Sequence, residues 1–303
     1  MLALIKRDIR VFLRDKMAFL LSLLSVLILV LLYKIFLAQM QVDGIKAAMQ
    51  VKSVSAETWK MVNYWLVSGL VAITCMSSTL GAYGISVDDR QHKRDEDFRQ
   101  TLLSPFQIEL AYLIAAVIIG SLITLLLYLI SAVALIGGTA LWLGWLETFE
   151  VLILIVAGTT LSLLMIYPFI YFIRTNSQFV SFSTIIGTVI GFLAGVYIPM
   201  ASLGKSVQNL ITWFPLTGIN ALLKQIMMHD SLTTVFQNAP LGAQDSYEKG
   251  YGVQLYFPDG NLIQPGQLVC YLIIFAGVMF LVNGLIVQLD KLRRQDILGE
   301  RKK

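Results

Sequence analysis

Hydrophobic positions along this chain gather into six long stretches, roughly 17–38, 61–85, 108–136, 150–173, 179–199 and 267–288. Each approaches or exceeds about 20 residues, the length that carries a helix across a hydrocarbon core of about 30 Å. The stretches are continuously apolar rather than alternating. Only helices and closed barrels satisfy every backbone polar group in lipid, and the lack of alternation selects helices. The pattern therefore predicts an all-α integral membrane protein with six transmembrane helices, forming a single domain over residues 1–303.

The segments between these stretches have patterns of their own. Within 1–16, Leu2, Ile5, Ile9, Phe12 and Leu13 recur at helical spacing, with Lys6, Arg7, Arg10 and Arg14 largely on the other side. That is the signature of an amphipathic helix lying in the membrane interface, in contact with lipid. The 86–106 connector is dense in charge. Asp95, Glu96 and Asp97 suit the positive start of a short helix, Phe98 and Leu102 are spaced to share one face, and Pro105 is expected to end it. Such a helix suits docking onto a cytoplasmic partner.

After the fifth stretch, Val207, Leu210, Ile211 and Phe214 form one apolar stripe and Leu216, Ile219, Leu222, Leu223 and Ile226 a second, broken at Pro215. Two halves of about ten to thirteen residues span roughly 15–20 Å, too short to cross. An outer-leaflet re-entrant helical hairpin is predicted, bounded by Pro199 and turning at Pro215. Residues 229–266 read as a polar outside cap, with a small hairpin at Val253–Phe257 followed by Pro258-Asp259-Gly260. Residues 200–266 thus comprise re-entrant hairpin and cap.

Composition agrees with the spans: 57% of residues are hydrophobic and 14% charged, with a mean hydropathy of +0.74. Soluble proteins carry about a quarter charged residues. The placement of Lys and Arg sets the orientation. Sixteen of the 23 fall in the N-terminal segment, the 86–106 connector, Arg174 and the tail after residue 288. The other side keeps Lys34, Lys46, Lys52, Lys60, Lys205, Lys224 and Lys249. Both termini are therefore expected in the cytoplasm, with the chain multi-pass in a cell membrane, as in a bacterial plasma membrane. The N-terminal segment does not read as a cleaved signal peptide, and no basic tail of the nucleic-acid-binding kind is present.

Candidate chemistry is sparse. Cys75 and Cys270 lie in apolar runs and read as small buried hydrophobes, while His92 and His229 stand far apart in polar connectors, so no metal site is expected. Gly204-Lys205-Ser206 is no phosphate loop, because the first glycine of that motif falls on Pro199. Any ATP and Mg must be held by another chain. The middle thirds of the six stretches lack Asp, Glu, Lys, Arg and His, which argues against a proton relay. Gly187, Gly191 and Gly195 repeat every four residues and predict close helix packing on one face.

In this order of parts the chain resembles the permease subunit of ABC-2 type exporters. The likeness rests on the basic first helix, the six spans, the charged connector ending in Leu102-Leu103-Ser104-Pro105, and Gly195-Val-Tyr-Ile-Pro199 leading to Trp213-Phe-Pro215-Leu-Thr217. It implies a transport subunit without catalytic residues, paired with a second copy or a related permease and with a cytoplasmic ATPase. Arg90, Asp95, Glu96, Asp97, Phe98, Arg99 and Leu102 would couple to that ATPase. Ser68, Thr74, Ser77, Phe182, Thr188 and Phe192 would line the cargo path. The cargo would be amphiphilic: a drug, peptide, lipid or glycan. A membrane anchor or regulatory subunit that transports nothing is the alternative, and a secondary transporter a weaker one.

Overall fold

The computed structural model describes residues 1–15, 28, 30, 31, 35, 38–49, 52–136 and 143–300. Most of the first predicted span lies outside the described residues, as do Lys16, Lys34 and 301–303. The described residues form helices and no strand. In chain order these are α1 (Leu2–Arg14), α2 (Ala38–Met49), α3 (Ala56–Gln91), α4 (Arg94–Arg99), α5 (Pro105–Ile136), α6 (Trp145–Ile170), α7 (Asn176–Leu193), α8 (Lys205–Thr212), α9 (Pro215–Phe236), α10 (Ala243–Gly250) and α11 (Pro265–Glu300). Five of them, α3, α5, α6, α7 and α11, are long and apolar enough to cross a membrane, and they coincide with the second to sixth predicted stretches.

The bundle is built around α3, which packs on α5, α9, α6 and α7. Small residues in the neighbours admit it. A Cβ on Gly120 of α5 would lie 2.4 Å from Thr79 Oγ1, and one on Gly158 of α6 would lie 2.9 Å from Cys75 Sγ. Backbones this close let hydroxyls bond across helices. Ser78 Oγ donates to the Gly120 carbonyl at 3.1 Å, Ser121 and Thr159 pair at 2.8 Å, and Asn283 of α11 donates to the Leu164 carbonyl at 2.9 Å.

Local sequence fixes the helix starts. Ser55 caps α3 by accepting from the Thr58 N–H. Ser104 and Gln107 form a reciprocal capping box, with the Gln107 N–H on Ser104 Oγ at 3.2 Å and the Ser104 N–H on Gln107 Oε1 at 2.9 Å. Pro105 is the first residue of α5, so it opens a helix rather than ending the short charged one; its fixed φ suits that position.

Several expected boundaries shift. α3 continues to Gln91, placing residues 86–91 in the helix and not in the connector. α7 stops at Leu193, short of the predicted 199, because Gly195 adopts φ +62 and its N–H turns back to the Phe192 carbonyl at 3.1 Å. The three glycines therefore do not act as one face. A Cβ on Gly187 would meet nothing within 4 Å, Gly191 receives the ring of Tyr197 from its own chain, and Gly195 makes the turn.

The segment after Pro199 also departs from expectation. Its helical parts are 8 and 22 residues long, so the second, α9, extends about 33 Å at 1.5 Å per residue. Pro215 is its first residue. Residues 229–236, expected in the polar cap, are its last two turns, with Leu232, Val235 and Phe236 buried. Thr217 and Asn220 of α9 donate to the carbonyls of Leu193 and Ala194 at 2.7 and 3.0 Å, closing the end of α7. Beyond α10, an isolated antiparallel bridge joins Tyr256 to Leu262 around the Pro258-Asp259-Gly260 turn.

Candidate functional site

At one end of the bundle α1, the last turn of α3, α4 and the α6–α7 connector converge; this is the basic end. Asp88, Asp89, Arg90 and Gln91 are consecutive, so their side chains leave α3 in four directions about 100° apart. Together they tie down the surrounding elements. Asp88 accepts from Arg94 at 2.9 Å and from Asn176 Nδ2 at 3.0 Å, joining α4 and α7. Asp89 is wholly buried, accepting from Tyr112 of α5 at 2.7 Å and from both terminal nitrogens of Arg7, the Nη2 bond at 2.8 Å. Gln91 Oε1 accepts the Asn176 N–H at 2.6 Å.

Arg90 points inward. Its Nη1 donates to the carbonyls of Ile170, Tyr171 and Ile173 at 3.1–3.3 Å, at and just past the end of α6 where helical carbonyls lack their own helix's donors. Its Nη2 donates to Tyr83 Oη at 2.9 Å and lies 3.6 Å from Glu109 Oε2. Glu109 in turn accepts from the hydroxyls of Tyr83 at 3.1 Å and Tyr167 at 3.3 Å. Arg90, expected to face an ATPase, thus closes the end of α6 from inside.

α1 is held by this hub. Leu4, Ile5, Asp8 and Phe12 are buried, mainly against α5, while Leu2 and Leu13 of the predicted apolar face are exposed and Ile9 is half-buried. The Asp89 carboxylate holds Arg7 more firmly charged than a free arginine. Burial pushes the neighbouring Asp8 carboxyl up to about 6 against the pull of Arg7.

α4 hangs from the same guanidinium, since Arg7 lies 5.5 Å from the Phe98 ring centroid. Phe98 is half-buried against the core, whereas Leu102 is fully exposed. The two do not share a helix face, because α4 ends at Arg99 and Thr101 Oγ1 bonds back to the Phe98 carbonyl at 2.6 Å. Asp95, Glu96 and Asp97 occupy the first turn of α4 as expected, with Glu96 and Asp97 exposed. The Arg99 side chain lies outside the described residues.

The expected cargo-path residues split in two. Ser68 and Thr74 are buried within the bundle, their hydroxyls returned to the carbonyls of Trp65 and Leu70 at 2.7 Å. Ser77, Thr188 and Phe192 are exposed on α3 and α7, beside Gly81 and Gly187, and Phe182 stacks half-exposed on Phe169 at 6.1 Å. Cys270, expected buried, is exposed on α11, while Cys75 is buried.

Sequence reasoning missed Lys224, counted above only among the cations of the outer side. It is buried in α9, with Nζ donating to the Tyr251 carbonyl at 2.9 Å and lying 4.8 Å from the Trp65 ring. Trp65 Nε1 donates to the same carbonyl at 2.8 Å. The apolar residues flanking Lys224 in α9 were the available signal.

These features define a multi-pass membrane protein whose ion-paired arginines Arg7, Arg90 and Arg94 collect at one end and whose interior is sealed by hydroxyls and glycines. The family model of the ABC-2 type transporter matches residues 1–228, and the chain belongs to that family. It is a transport permease of a kind that has no nucleotide-binding domain of its own. No curated protein and no solved structure matches the chain.

Proposed function

We propose that this permease is the membrane half of an ATP-driven exporter, working as two copies, or as one copy and a related chain, with a cytoplasmic ATPase that holds ATP and Mg. The basic end is cytoplasmic on this reading, and so are both termini, in the plasma membrane of a bacterium. The carrying observation is the Asp88–Gln91 hub, through which one turn of α3 bonds to α1, α4, α5, the end of α6 and the start of α7. A push on α4 would reach α1 through Phe98 and Arg7 and then α3 through Asp89, moving the bundle without a soft link. The fully exposed Leu102 is the apolar contact left for the ATPase.

The α8–α9 turn at Pro215 would dip into the outer leaflet, with α1 in the inner interface. The exposed Ser77, Thr188 and Phe192 face would meet the second subunit and line the path of an amphiphilic cargo. Reconstitution with a cytoplasmic ABC ATPase that copurifies with it tests the reading. Leu102→Asp is expected to cut cargo-stimulated ATP hydrolysis about tenfold, which is roughly 1.4 kcal/mol of coupling, without lowering the melting temperature. An unchanged rate, or a permease that binds no ATPase, would favour the non-transporting anchor. Phe98→Asp is a poorer test, since Phe98 packs against the core.

A further inference from the structure

At the end opposite the hub, α9, α10 and the 253–265 segment border a half-open cavity of about 360 Å³. Its wall includes Gln225, His229, Thr233, Gln244, Glu248 and Gln254. Most of that wall follows residue 228, where the family match stops.

Glu248 is 5% exposed. Its Oε1 accepts from Gln244 Nε2 at 2.7 Å and its Oε2 from Gln254 Nε2. Both donors are neutral amides, which orient a carboxylate without cancelling its charge. Three lysines at this end are engaged elsewhere, Lys224 on the Tyr251 carbonyl, Lys249 over the Tyr256 ring at 4.6 Å and Lys60 beside Glu57 at 3.6 Å, and His229 is the basic side chain on the cavity wall that faces Glu248. A second cavity of about 280 Å³ shares Gln225 and His229 with the first and is lined by Glu147, Glu150 and Asp230. The surroundings therefore add negative charge. A carboxylate in a small cavity, ringed by amides and lacking an ion-pair partner among the described residues, is complementary to a cation that also hydrogen-bonds.

We propose that the Glu248 cavity binds the primary ammonium group of a small amine, which Glu248 pairs while Gln225, Thr233 and His229 offer hydrogen bonds to the rest of the ligand. The site does not depend on the direction of transport or on an ATPase. Burial also raises the affinity of the Glu248 carboxyl for its proton, so the ionised form gains most from an incoming ammonium.

The probes are 1,5-diaminopentane and 1,5-pentanediol, which share a chain and differ in charge. Each is titrated calorimetrically into the full-length protein in nanodiscs, at about 0.15 M salt to screen surface binding. Saturable binding of the diamine without the diol is expected, weakened at least tenfold by Glu248→Gln. Equal binding of the diol, no binding of the diamine, or undiminished binding to Glu248→Gln would overturn the proposal. Should Glu248→Gln fail to fold, His229→Lys serves, because residue 229 is exposed on the cavity wall. It supplies an internal ammonium and is expected to lower diamine binding at least fivefold; unchanged affinity would count against the site.

Discussion

α3 and α7 are both apolar helices carrying serines, threonines and glycines, yet 78% of the most apolar stretch of α3 is buried against 11% for α7. The difference does not lie in how their hydroxyls bond. Thr74 and Thr79 of α3 return to carbonyls four residues back, and so do Thr184 and Thr188 of α7. A hydroxyl satisfied by its own helix tolerates protein or lipid equally. What separates the helices is whether a neighbour can come close. α3 is met by Gly120 and Gly158 from two sides, whereas Gly187 of α7 is met by nothing. α3 thus folds the protomer, and α7 keeps its surface for what lies outside it.

If α3 is the organiser, its charged end is where a single change costs most. Asp89→Ala removes the carboxylate that Arg7, Tyr112 and Arg94 share and leaves Arg7 with Asp8 as its one remaining carboxylate partner among the described residues. Breaking a buried pair costs about 3–5 kcal/mol. A loss of that size in detergent-monitored unfolding, with α1 becoming protease-sensitive, is expected. Wild-type stability would make the hub ornamental.

A pair of glycine changes sharpens the contrast next. Gly120→Val forces a side chain into Thr79, where Cα is 3.1 Å from the added Cβ, and overpacking of that kind costs about 1–3 kcal/mol. Gly187→Val adds its side chain to open space and is expected to leave protomer stability unchanged. Thermal unfolding of the two variants side by side checks this. Equal destabilisation would place an unseen neighbour on α7 within the same fold.

The legibility of the molecule follows the same division. Five long apolar helices could be read directly, because hydropathy records what is taken out of water regardless of what covers it. For the same reason hydropathy could not distinguish Ser68, sealed inside, from Ser77, open outside, since both lie on one helix nine residues apart. Charge misled at Arg90 and Lys224. Arg90 was placed in a connector and Lys224 among the outer-side cations, but an arginine that satisfies three carbonyls and a lysine held by a carbonyl and an indole face can end up buried. The glycine repeat misled differently: its period is that of a helix face, but Gly195 lies past the helix end. Gly120 and Gly158, which do admit α3 closely, stand alone in their helices without a repeat to mark them.

Single hydroxyls probe the comparison more gently. Ser78→Ala deletes a bond to the Gly120 carbonyl and a contact with Thr124 at 3.2 Å. Buried hydrogen bonds between membrane helices average about 0.6 kcal/mol, and a loss near that value is expected. Thr188→Val, on the open face, is expected to change unfolding by less than about 0.3 kcal/mol, within the noise of additivity. Its effect, if the proposed path is right, falls on transport rate in reconstituted vesicles.

A pH-dependent effect concerns α1, which is tied to α3 at one side and open on the other. The Asp8 carboxyl is raised from the ordinary 3.8 to about 6, chiefly by burial. The native state therefore binds this proton more tightly than the unfolded chain does. The stabilisation is complete below about pH 4 and is lost as pH rises through about 6. Above that, an ionised Asp8 crowds Asp89 with one oxygen lacking a hydrogen-bond partner. Asp8→Asn cannot titrate, so it should flatten the fall in stability between about pH 4 and 6 and leave α1 no weaker, or slightly firmer, near pH 7.5. Hydrogen exchange of the α1 amides across that range measures it directly. A wild-type slope that survives Asp8→Asn would move the titrating group off α1, while an opposite slope would mean that Arg7 outweighs burial at Asp8 and that α1 is held as tightly as α3 itself.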